Sequence, residues 1–105
     1  MSRNSERLEK CSELRMLLRQ YCGLAGCFVI EGLTFTECKM PSGAFLKIFN
    51  RPLVNYGRTY YGFVDLPRRN RFHRSYFDDH GADNLCMKLK ENIITLSKEK
   101  DHGTN

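Results

Sequence analysis

The hydrophobic period of this chain changes once, near residue 23, and that change constrains the fold more than any other feature. Leu8, Cys11, Leu14, Leu17, Leu18 and Tyr21 recur at spacings of three and four, which is the stripe of a helix buried along one side. Asn4 or Ser5 is placed to cap its start. Glu6 and Glu9 lie towards the positive end of its dipole, Arg15 and Arg19 towards the negative end. Glu6 and Lys10 add a favourable i,i+4 pair, and Gly23 fits the position after the C-cap.

Beyond Gly23 the repeat shortens to two. Cys27-Phe28-Val29-Ile30 is a short apolar run ended by Gly32, and Leu33 to Met40 alternates as a strand does. Ala44 to Phe49 puts Leu46 and Ile48 on one face and Phe45, Lys47 and Phe49 on the other, until Pro52 stops it. Arg58 to Leu66 puts Tyr60, Val64 and Leu66 on one face and Thr59, Tyr61 and Phe63 on the other, until Pro67 ends it. Pro41-Ser42-Gly43 and Asn55-Tyr56-Gly57 read as turns. Pro67 to Gly81 shows no period and reads as a loop, long for a small domain and of the kind that carries function. Asp83 can cap a second helix carrying Leu85, Leu89, Ile93 and Leu96, with a strand over Ile93-Ile94-Thr95-Leu96 as the alternative. Lys98 to Asn105 reads as a polar, frayed tail.

The order predicts one α+β domain over residues 1–105: an N-terminal helix, three or four antiparallel strands and a C-terminal helix. With residues 85–97 as a strand, the layout becomes a helix plus a five-stranded, strongly bent sheet. That layout is loosely similar to an Sm-like barrel, with Lys90-Glu91-Asn92 standing where the final hairpin of such a barrel carries glycine.

Charge is distributed unevenly. Residues 1–38 carry five basic and five acidic side chains, and residues 78–105 carry four and six. Between them, residues 39–77 carry eight basic side chains against Asp65 alone. Phe45, Phe49, Tyr56, Tyr60, Tyr61, Phe63, Phe72, Tyr76 and Phe77 are interleaved with those cations. Cations neutralise phosphates and aromatic faces stack on unpaired bases, so the pattern points to nucleic acid, RNA favoured over DNA. In that reading Arg58, Arg68, Arg69, Arg71, Arg74 and Lys47 contact phosphates, while Tyr61, Phe63 and Phe72 stack on bases. The alternative is a protein–protein interaction or adaptor module, of regulatory or viral accessory type, that docks an acidic partner. The leucine stripe of the first helix could also join two copies as a homodimer.

Other chemistry is less well supported by the residues. The cysteines are Cys11, Cys22, Cys27, Cys38 and Cys86. Their odd number and the absence of an apolar signal core predict reduced thiols in cytoplasm or nucleus. Cys22, Cys27, Cys38 and Cys86, with His73 and His80, have the ligand types of a zinc site but lack the two-residue knuckle spacing. Asp78-Asp79-His80 could bind a metal or move a proton. No nucleophile elbow, P-loop or dinucleotide fingerprint is present. The expectation is a non-enzymatic protein without a cofactor, and no apolar run reaches the roughly 18 residues of a membrane span.

Overall fold

A computed structural model describes residues 2–103 of the chain, with side chains from 4 to 100. The first helix, α1, runs Ser2–Ala25. It passes through Gly23 and stops at Gly26, whose φ of 75° is open to glycine at little cost. The Cys27 amide then donates back to the Cys22 carbonyl at 2.9 Å, the closing bond of a Schellman turn. The chain therefore doubles back on the last turn of the helix.

Five strands follow as an antiparallel meander in sequence order: β1 (Val29–Glu31), β2 (Phe35–Lys39), β3 (Phe45–Asn55), β4 (Arg58–Arg68) and β5 (Arg71–Phe77). The second helix, α2, is Asp79–Gly103. The helix–sheet–helix order is as expected, and the C-terminal segment is helical. The fifth strand comes from the segment that reads as a loop: β4 continues through Pro67, turns at Arg69-Asn70 and returns as β5. Pro52 lies inside β3 rather than ending it, where the pairing with β4 shifts register between Ile48 and Leu53. A ladder already interrupted there has no amide bond for the proline to remove. The cap of α2 is Asp78, whose Oδ1 accepts the Gly81 amide at 2.9 Å, not Asp83. The helix also continues through Lys98 to Gly103, and the last two residues of the expected tail, Thr104 and Asn105, lie outside the described residues.

Both helices pack on one face of the sheet. Leu14, Leu17, Leu18 and Cys22 of α1 meet Cys38, Leu46, Ile48 and Tyr61 of the sheet, with Ala82 and Leu89 of α2 closing the core. α1 and α2 lie side by side and run in the same direction. Lys10 Nζ is 3.0 Å from Asp83 Oδ1, and one turn further along Cys86 Sγ donates to Glu13 at 3.3 Å. Leu14, Leu17 and Leu18 are thus buried within the chain, and the expected homodimer seam is already occupied by the protein's own sheet. Among the described residues no helix is long and apolar enough to cross a membrane.

Candidate nucleic-acid interface

Among the described residues no helix covers the opposite face of the sheet. Partners in an antiparallel ladder share a face, so the register defines its rows. One row is Glu37, Lys47, Phe63 and Tyr76; the next is Lys39, Phe45, Asp65 and Arg74. Phe35 pairs with Phe49 at one side and Pro67 with Phe72 at the other. The expected grouping of Phe45, Lys47 and Phe49 on one face is present.

Tyr61 and Phe63 do not share that face. Between them lies Gly62, whose backbone is pressed against β3 so closely that a Cβ would collide with the Lys47 carbonyl oxygen. At this bend the alternation slips: Phe63 faces outwards opposite Lys47, while Tyr61 turns into the core with no exposed surface. The Tyr61 hydroxyl donates to Asp79 Oδ1 at 2.5 Å. Burial and this acceptor both push the phenol pKa upwards, and the hydroxyl holds the Asp79 carboxyl below its ordinary range. Tyr61 is therefore a core residue and not a stacking surface. Asp78 and Asp79 are likewise engaged in capping α2 and in binding Tyr61 and Lys10.

The outward rings form two clusters, Phe49–Phe63–Tyr76–Tyr60 and Phe45–Phe72. Phe63 lies 5.3 Å from Tyr76 and 6.0 Å from Phe49, Tyr60 lies 5.6 Å from Tyr76, and Phe45 lies 5.6 Å from Phe72, in tilted or edge-to-face pairs. Cations cover several of them. Arg74 stacks 3.8 Å above Phe63, and Lys47 lies 4.1 Å from the centre of Phe35 and 5.3 Å from that of Phe63. Both cations also have carboxylate partners. Arg74 binds Asp65 through two hydrogen bonds of 2.7 and 2.9 Å, and Lys47 is 3.7 Å from Glu37. The fork-to-fork pair holds the Asp65 carboxyl below its usual range, chiefly through the Arg74 hydrogen bond. Glu37 is a neighbour that the charge count over residues 39–77 misses, because the ladder draws it in from outside that window.

The expected site residues therefore separate into three sets. Tyr61 is in the core. Lys47, Arg74 and the buried Phe63 form a self-paired centre. Arg58, Arg68, Arg69 and Arg71 are exposed and make no ion pair among the described residues, while Phe72 remains 53% exposed. Three of the free arginines crowd the β4–β5 turn beside Phe72. Arg58 is at the other end, where it lines a concavity of about 490 Å³ with Leu53, Asn55, Tyr60, Tyr76 and Asp78. Tyr60 and Tyr76 are functional candidates that the sequence pattern did not separate from the core aromatics.

The cysteines also divide. Cys22, Cys27 and Cys38 converge, their sulfurs all within 4.8 Å of one another. Cys86 is bound to Glu13 on the α1–α2 seam, and His73 and His80 lie on β5 and at the start of α2. Comparison with protein-family models, with curated proteins and with solved structures gives no match.

Proposed function

We propose that the protein binds single-stranded nucleic acid, RNA in preference to DNA, across the helix-free face of its sheet. The observation that carries this reading is the alternation along β5. Phe72, Arg74 and Tyr76 point outwards in turn, so two part-exposed rings stand about 13 Å apart on one strand, with a guanidinium between them. Arg69 supplies unpaired charge at one end of this track and Arg58 at the other, and Arg68 and Arg71, a cross-strand pair on the opposite side of the sheet, reach it around the open end of the β4–β5 turn. A strand of RNA laid along β5 stacks one base on Phe72 and another against Tyr76 and Tyr60 in the concavity, where Asn55 and Asp78 offer polar groups to a base edge. The backbone phosphates meet the four free arginines. Arg74 and Lys47 stiffen the rings from the side and do not need to leave their carboxylates.

The test is fluorescence anisotropy of a short labelled RNA across a salt series. Each phosphate contacted steepens the fall of log K with log salt by about 0.7 for a single strand, so four arginines give a slope of roughly −3. No binding at low salt, or a flat salt response, rules the reading out. An equal-length DNA competitor measures the preference for RNA.

One observation favours the second reading, an acidic protein partner. The centre of the face is nearly neutralised by Glu37 and Asp65, which leaves the positive excess at the β4–β5 turn. A pull-down from lysate that survives nuclease treatment would support this alternative.

A further inference from the structure

We propose that Cys22, Cys27 and Cys38 form a binding site for one thiophilic d10 metal ion, with Zn2+ the preferred occupant. The three residues come from three different local structures. Cys22 is in the last full turn of α1 and Cys38 is on the helix-facing side of β2. Cys27 is returned to Cys22 by the Schellman turn at Gly26. The turn thus does for this pair what a two-residue knuckle does elsewhere: it brings two sulfurs from one short segment to the same point.

The sulfurs of Cys22 and Cys38 are 2.7 Å apart, and all three lie within 4.8 Å. Thiolates bound to one ion at about 2.3 Å stand a little under 4 Å from each other, so small rotations about the Cα–Cβ bonds suffice. Cys22 and Cys38 are fully buried, while Cys27 is part-exposed and gives the ion a path in from solvent. As each S–M bond forms, the S–H proton passes to solvent, so three protons leave.

Charge selects the ion. Three thiolates around Zn2+ leave one net negative charge, whereas around Cu+ they leave two. Cys22 and Cys38 are fully buried, and among the described residues no cationic side chain is hydrogen-bonded to either sulfur. The smaller residual charge is the cheaper one to bury. Three protein ligands leave the fourth tetrahedral position of Zn2+ to water or to an added ligand, the open arrangement that structural four-cysteine sites lack.

The experiment uses the full chain, reduced and stripped of metal. Zn2+ is titrated in competition with a chromophoric chelator, and Co2+ serves as a spectroscopic substitute. One ion per chain is expected, with a sulfur-to-cobalt charge-transfer band and tetrahedral d–d bands. Cys27→Ser should weaken binding at least tenfold, while Cys86→Ser leaves it unchanged. Alkylation of the wild-type protein followed by mass spectrometry gives a readout that needs no variant. Zn2+ should protect the part-exposed Cys27 and leave Cys86 reactive. A Cu+ arm that displaces Zn2+ at equal free concentration would overturn the choice of ion. Absence of stoichiometric binding, a cobalt spectrum without the charge-transfer band, or equal alkylation with and without Zn2+ would overturn the site. So would closure of Cys22 and Cys38 to a disulfide under dioxygen, the oxidant that takes up the two electrons and two protons, as fast with Zn2+ in excess as without it.

Discussion

Tyr61→Phe removes one oxygen and leaves the packing of a fully buried ring almost untouched, so it isolates the bond to Asp79. A hydrogen bond to a charged acceptor contributes about 1.5–3 kcal/mol. The Asp79 side chain is 60% exposed, so water replaces the lost donor and the cost at pH 7 falls to about 1–2 kcal/mol. For a domain of this size that lowers Tm by roughly 5–10 °C. The pH dependence provides a second check. The folded-state pKa of Asp79 is depressed, first by the Tyr61 hydroxyl and then by Lys10. A depressed carboxylate contributes stability that is present above the unfolded value, near 3.9, and is lost as pH falls through the folded value. The gap between wild type and Y61F should therefore be widest near neutrality and narrow on acidification below about pH 4. Urea denaturation at a series of pH values measures it. A variant within about 0.3 kcal/mol of wild type at pH 7, or a gap that stays constant down to pH 3, refutes the reasoning.

Gly62→Ala drives a Cβ into the Lys47 carbonyl oxygen and to 3.0 Å from the Ile48 Cα, both backbone atoms. A loss of about 2–4 kcal/mol in urea melts is expected, and a loss below about 1 kcal/mol would mean that β3 and β4 have slack at the crossing. Arg69 holds a φ of 50° at the β4–β5 turn, so Arg69→Gly should raise stability by about 0.5–1 kcal/mol, seen as a higher midpoint at unchanged m. The same change should reduce the RNA salt slope by about 0.7, which separates binding from stability in a single variant. Phe72→Ala should cost about 1–3 kcal/mol of RNA affinity, whereas Phe28→Ala, on a ring 87% exposed and remote from β5, should leave affinity unchanged.

The two helices and the strands β2, β3 and β4 were legible because each buries a regular stripe or alternates across a half-covered sheet, whereas β1 showed only as a short apolar run. β5 was not legible, for a physical reason. Its inner positions, Arg71, His73 and Ser75, are polar and exposed or half-exposed, and on the outer face Arg74 interrupts Phe72 and Tyr76, so no continuous apolar face is written before Phe77. No alternation of hydrophobicity is written where neither face is dry. The assignment of Tyr61 failed for a different reason. Strict alternation carries through any strand that stays straight, and Gly62 marks the bend that breaks it. The charge count located the basic third correctly but treated Arg74 and Lys47 as free, because their partners depend on cross-strand register. Cys27 shows the same limit: its approach to Cys22 is encoded in Gly26, a backbone signal, and not in the spacing of the sulfurs.

The side-by-side helices carry a consequence for how the molecule is made. Glu13 and Cys86 touch across 73 positions of sequence, and closing a loop of that length costs entropy before any contact repays it. During synthesis α1 emerges ahead of every surface that covers it. Leu14, Leu17 and Leu18 must wait for β3, and then for α2, before they are out of water. The nascent protein therefore passes through a stage in which its most apolar stripe is exposed, a window for chaperone capture or self-association that closes only once Leu89 has been added.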